Sequence, residues 1–147
     1  MRVGTIICYF LFAIVFLASL GVSLPFVFDK INDDANLTRN LNQNIVTYFV
    51  AILVSASLDY VMKLFDDKVP YKKLAILSIC IANTIILLVS AYILYQNAKG
   101  KLTEVSGLAI LGVILAFTMW WITNFNNSAF NPTSSLGGNV DKPLSNG

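Results

Sequence analysis

Residues 74–98 read LAILSICIANTIILLVSAYILYQNA, 25 positions without a charge. A helix rising 1.5 Å per residue needs about 20 mostly apolar residues to cross a bilayer, so this stretch predicts a membrane span. Its apolar letters run on instead of alternating, which argues against a strand of a β-barrel. Three more stretches have the same character. Val3–Phe28 and Asn40–Leu58 are uncharged, and after Glu104 no charge returns until Asp141. We place four spans near 3–24, 45–65, 73–96 and 103–124. The expected fold class is all-α: a four-span transmembrane bundle over residues 1–125 and a flexible tail over 126–147.

Composition agrees. The chain is 56% hydrophobic and 12% charged over 147 residues, where a soluble domain carries about 25% charge. A soluble chain of this length has too little interior to hide that much apolar surface. Arg2 and the small residues at Ala18–Gly21 would suit a cleaved signal peptide. The length of the apolar run favours a retained first span. The net charge of +2 gives no basis for nucleic-acid binding. Cys8 and Cys80 fall inside separate spans and read as small apolar residues, not as a disulfide framework.

Four spans put both termini on one side. Arg2, Lys63, Lys68, Lys72, Lys73 and Lys142 lie there, against Lys30, Arg39, Lys99 and Lys101 on the other. The surplus predicts cytoplasmic termini, in an inner membrane if the source is bacterial. Trp120 and Trp121 close the fourth span, Tyr92 and Tyr95 close the third, and Tyr48 opens the second, as interfacial belts do. The first outer loop carries Ile31, Ala35, Leu41 and Ile45 near helical spacing, with a start signal at Asn32–Asp34, so the second helix is expected to begin outside the membrane. Gly100 suits the end of the third helix, and Thr103 could cap the fourth. The tail has five Asn, four Ser, three Gly and two Pro and cannot make a core. Phe130, Leu136, Val140 and Leu144 are spaced through it. With Lys68, Lys72 and Lys73 of the inner loop, they are candidates for docking a soluble partner. Asn131–Thr133, NPT, reads as a turn.

In lipid, helices associate through small and polar residues. Thr47, Ala51, Ser55, Asp59 and Lys63 recur every four residues in the second span, with Ser57 off that stripe. Gly112 and Ala116, near Ala109, form a small-xxx-small pair in the fourth span. Asn83 and Ser90 share a face of the third. These residues are the helix-packing or pore-lining candidates. Asn83 is the deepest strongly polar group and is expected to face another helix or a symmetry mate. Asp59 precedes Lys63 by one turn, the favourable order for an ion pair at the mouth of the bundle.

Catalytic chemistry is scarce. The chain has no histidine, which removes the Ser-His-Asp type of triad and His-containing metal sites. It has no phosphate-binding Gly-Lys-Ser/Thr loop and no nucleophile elbow. We expect no enzyme, no metal and no cofactor. Three functions fit: an oligomeric sensor or anchor that recruits a cytoplasmic protein, a small oligomeric ion channel or carrier, or an immunity protein against a pore-forming toxin.

Four apolar runs in a short chain, minimal loops and the tail FNPTSSLGGNVDKPLSNG together resemble the membrane subunit of the Kiwa anti-phage defence system. The resemblance covers the whole chain as architecture and rests on no short motif. It implies a homo-oligomer, expected to be a tetramer, in a bacterial inner membrane. It also implies a soluble cytoplasmic partner and a response to infection.

Overall fold

The computed structural model describes residues 2–66 and 72–125. Every regular element among them is helical. The first span runs through α1 (Arg2–Tyr9), a π-helical segment (Phe10–Leu17) and α2 (Leu20–Ile31). It is followed by α3 (Leu37–Asp66), α4 (Lys72–Ala98) and α5 (Gly107–Asn124). Four stretches are long and apolar enough to cross a membrane: Val3–Ile31, Leu37–Phe65, Lys73–Ala98 and Gly107–Asn124. The architecture is that of an all-α integral membrane protein with four spans.

The first span departs from regular α-helix where its sequence turns uniformly bulky, at FLFAIVFL. There the Ala18 amide donates to the Ala13 carbonyl, five residues back, at 3.0 Å. A wider turn of this kind displaces carbonyls from their usual partners, and in hydrocarbon those carbonyls must find others. Tyr48 of α3 donates its hydroxyl to the Ile14 carbonyl at 2.7 Å, and Ser19 donates to the Phe16 carbonyl at 2.9 Å. Pro25 sits inside α2 and adds a second departure, since it has no amide proton to give.

The helix goes on to Ile31, past the end expected near residue 24, and so takes in about a third of the expected outer loop. A tight turn follows. Asp33 adopts positive φ (50°). The Asp34 carboxylate accepts from the Asn36 backbone amide at 2.8 Å. Asn40, in the first turn of α3, donates to Asp29 at 3.0 Å and to Asp34 at 3.3 Å. The second helix does begin outside the apolar stretch, but at Leu37, because Asn32–Asp34 form the turn itself.

At the other end of α4, Gly100 has φ 67°. Its amide donates to the Asn97 carbonyl at 3.0 Å, and the Lys101 amide donates to the Gln96 carbonyl at 3.1 Å. This paired closure satisfies two terminal carbonyls and needs the left-handed residue that glycine supplies. The fourth helix starts at Gly107, four residues later than expected from Thr103. Ser106 occupies the position before it, with extended backbone and no side-chain cap. The expected Thr103 cap is therefore not made. Asn42 of α3 takes over that end: its Oδ1 accepts from the Ser106 amide at 2.9 Å, and its Nδ2 donates to the Glu104 carbonyl at 3.0 Å.

α3 is the hub. It packs most extensively on α5, then on α4, then on α2. α3 and α5 run parallel, as the second and fourth of four alternating spans must. The face of α3 turned inward is Asn42, Val46, Phe49, Leu53 and Ala56, each at most 3% exposed. The alternating steps of four and three keep that face turned to a neighbour at a shallow crossing angle. Across from it, α5 offers Ala109 and Ala116, both fully buried, and buried Gly112. Small residues let the two backbones approach. α4 is peripheral: 6% of its apolar window is buried, against 33% for α3 and for α5.

The closest approach lies between Gly112 and Phe49. A Cβ built on Gly112 would stand 2.7 Å from the Phe49 ring, and that ring is 1% exposed with nowhere to swing. Gly112→Ala should destabilise the bundle by about 1–3 kcal/mol, the usual range for overpacking. Phe49→Leu in the same chain should recover part of the loss. Thermal unfolding in a mild detergent, run on both singles and the double, measures this. Equal melting of Gly112→Ala and the wild type would contradict the packing described.

Candidate functional site

Three polar groupings lie along α3, and each is fixed by what the neighbouring helices leave unsatisfied. At its C-terminal end, Lys63 reaches α5 and donates its ammonium to the Thr123 carbonyl. The last carbonyls of a helix have no partner within the helix, and a cation is favoured at that end. Thr123, 2% exposed, returns its hydroxyl to the Ala56 carbonyl at 3.0 Å. Asn124 donates to the Trp120 carbonyl at 3.0 Å. The C-terminal turn of α5 is thus stitched to α3 from two sides.

The ion pair expected between Asp59 and Lys63 is not formed. Lys63 reaches the Thr123 carbonyl, and no described cation pairs with Asp59. The helical order of acid and base is right. The carbonyl on α5 wins because it also needs a donor, and a flexible lysine stem can reach it.

Asp59 instead lies in an open groove of about 440 Å³. Tyr9 and Ile14 of the first span form one wall, Trp120 and Asn124 of α5 form the other, and Ala51, Ser55 and Asp59 of α3 lie between. Thr47, Ala51, Ser55 and Asp59 are all exposed. Thr47 turns its hydroxyl back to the Gln43 carbonyl at 3.0 Å. The four-residue stripe is therefore not the face that α3 presents to other helices of its own chain. Each step of four overshoots a turn by about 40° at 3.6 residues per turn. The stripe thus drifts around the helix, while the buried residues hold station.

Aromatic rings close one side of this region. Phe10 lies 5.3 Å from Phe117, 5.1 Å from Trp120 and 5.3 Å from Trp121, centre to centre. Tyr9 stacks on Trp120 at 6.0 Å. Trp120 was expected in an interfacial belt facing lipid. It is 7% exposed, and it serves as the packing surface between the first span and α5. Tyr92 and Tyr95 are exposed, as belt residues are.

The second grouping lies halfway along the bundle. Ser57 of α3, 3% exposed, donates its hydroxyl to Asn83 Oδ1 of α4 at 3.1 Å. Asn83 does face another helix, and its partner is the serine that lies off the four-residue stripe. Ser90, two turns along, is buried and donates within its own helix to the Ile86 carbonyl at 2.8 Å. The third grouping is at the far end, where Asn97 of α4 donates to the Arg39 carbonyl at 2.7 Å, near the contacts of Asn42.

Gly112 and Ala116 are buried against α3, inside the chain. Lys73 is exposed at the start of α4, and Lys72 opens that helix. Lys68, Phe130, Leu136, Val140 and Leu144 lie outside the described residues, as does the expected tail of 126–147. Sequence reasoning missed Asn42, Tyr48, Asn97 and Thr123 as ties between helices. For Asn42 a signal was present: it opens the 42–46–49–53–56 pattern of the buried face.

Asp59 and Lys63 are functionally separate in this arrangement. Lys63→Met should lower stability by about 1–2 kcal/mol, the scale of a hydrogen bond to a charged group. Asp59→Asn should change it little, and the double variant should equal the sum within about 0.5 kcal/mol. A coupling well above that in thermal or denaturant unfolding would restore the ion pair. Comparison of the chain with protein-family models, with curated proteins and with solved structures finds no match to any of them.

Proposed function

We propose that this protein is an oligomeric membrane sensor or anchor that recruits a soluble cytoplasmic protein. One observation carries the reading: α3 leaves Ala51, Ser55 and Asp59 exposed in an open groove between the first span and α5, with Thr47 exposed one turn before them. Ionisable groups in spanning helices mark functional contacts, since lipid gives them nothing to bind. A protein built only to sit in the membrane has no use for such a face. In this reading the groove receives the membrane signal or a neighbouring helix. The inner loop at 68–73 and the tail, with Phe130, Leu136, Val140 and Leu144, hold the partner. The resemblance to the Kiwa membrane subunit supports a role in bacterial anti-phage defence, and the surplus of basic residues on the terminal side supports cytoplasmic termini. No catalytic step is assigned.

The same groove supports a second reading, an ion path lined by Ser55 and Asp59. The two readings separate cleanly. Deleting residues 128–147 should leave membrane insertion intact and abolish co-purification of the cytoplasmic partner. Recruitment that survives the deletion overturns the role of the tail. Cation flux into liposomes that is lost in Asp59→Asn would move the assignment to the ion path.

A further inference from the structure

We propose that the groove around Asp59 binds an organic ammonium with an apolar body, a lipophilic amine that enters sideways from the bilayer. The inference rests on the sensor reading above and names the chemical class of the signal that its groove receives.

Asp59 stands six residues before Phe65, the last residue of the second apolar stretch. At 1.5 Å per residue that is about 9 Å inside the end of the stretch. A carboxylate at that depth is costly unless a cation meets it. No described residue supplies that cation, since Lys63, one turn on, reaches the Thr123 carbonyl. Ser55 lies one turn before Asp59 on the same side of α3. It is exposed, and its hydroxyl has no partner among the described residues. An acceptor of full charge and a hydroxyl thus stand together, both unserved by the chain.

The groove that holds them has about 440 Å³, the size of a small-molecule site. Its exposed lining mixes polar and apolar surface, with Ile14, Ala51 and Trp120 beside Ser55 and Asp59. Tyr9 stacks on Trp120 at 6.0 Å and is still half-exposed, which gives the groove an aromatic wall. Each feature asks for a different part of one ligand. An ammonium has donors for both Asp59 and Ser55, and its charge is attracted to aromatic rings. A hydrocarbon or aryl body covers Ile14 and Ala51. An inorganic cation leaves that apolar lining uncovered. A lipid tail leaves the carboxylate unmet. A lipid headgroup ammonium brings its own phosphate, and a second anion beside Asp59 is repelled. A free lipophilic amine meets all of these conditions.

The test is isothermal titration calorimetry on the full-length protein in dodecyl maltoside, a detergent without charge, at neutral pH. The probe is 4-phenylbutylammonium chloride, with 4-phenylbutan-1-ol as its neutral counterpart. The ammonium should bind saturably and the alcohol should not. Asp59→Asn should weaken the ammonium by tenfold or more, the scale of a lost hydrogen bond to a charged group. Ala51→Phe keeps the carboxylate but fills the groove, and should weaken it as much. It decides the matter if Asp59→Asn does not fold. Equal binding by the wild type and both variants, or equal binding of the alcohol, overturns the site. Displacement of the probe by sodium chloride at matching concentration overturns the organic ligand in favour of the ion path. Displacement by phosphatidylethanolamine at matching concentration overturns the free amine in favour of a headgroup. A wild type that binds no ammonium while its cytoplasmic partner still co-purifies overturns the ligand alone. Saturable, Asp59-dependent binding in a protein that co-purifies no partner supports the site and overturns the recruiting reading instead.

Discussion

A polar group inside a bilayer has no water to fall back on, and the arrangement of this bundle follows from that constraint. Apolar burial cannot order helices in lipid, because lipid tails are as apolar as leucine. Two terms remain: close packing and hydrogen bonds that have nowhere else to go. α3 collects both. Its Phe49 fills the space above Gly112, and its side chains or backbone meet every other span. Tyr48 serves the first span, Ser57 serves α4, and Asn42 and Lys63 serve the two ends of α5.

The ends of α5 show how specific this becomes. A helix of 18 residues is close to the minimum for crossing a bilayer, so its termini lie near the edges of the apolar region. Both termini carry backbone groups with no partner in the helix. At the start, Asn42 bonds the Ser106 amide and the Glu104 carbonyl with its own two ends. At the finish, Lys63 covers a carbonyl with charge of the favoured sign. The two ties lie 21 residues apart on one helix, about 32 Å at 1.5 Å per residue. They fix the register of α5 against α3, which apolar packing alone leaves free to slide.

The number and rough placement of the spans were legible in the sequence, because charge-free length is a property of the chain itself. The faces were not. Thr47, Ala51, Ser55, Asp59 and Lys63 stand out as small or polar letters at a regular interval. The face that packs reads Asn-Val-Phe-Leu-Ala and looks like ordinary membrane filling. In water that apolar pattern would identify the buried side. In lipid both sides of a helix can be apolar, so hydrophobic periodicity loses its power to point inward. Boundaries failed for a related reason. Residues 25–31 open on Pro25 and carry the charges Asp29 and Lys30, which read as the start of a loop, yet they stay helical because Asp29 and Asp34 tie the turn to Asn40. Lys63 was assigned to Asp59 because sequence shows neighbours on one helix. Its true acceptor is 60 residues away and is a backbone carbonyl, which has no letter of its own.

These two faces of α3 give the molecule a division of labour. The side that steps by four and three is consumed in holding four helices together. The side that steps only by four winds away from that interface and emerges in the groove beside Asp59. One helix cannot give up its inward face without unfolding the bundle. Thr47, Ala51, Ser55 and Asp59 on its outward face can change partners at little cost to the fold, because they are exposed. Any response to an event in the membrane is therefore easiest to carry on that outward face.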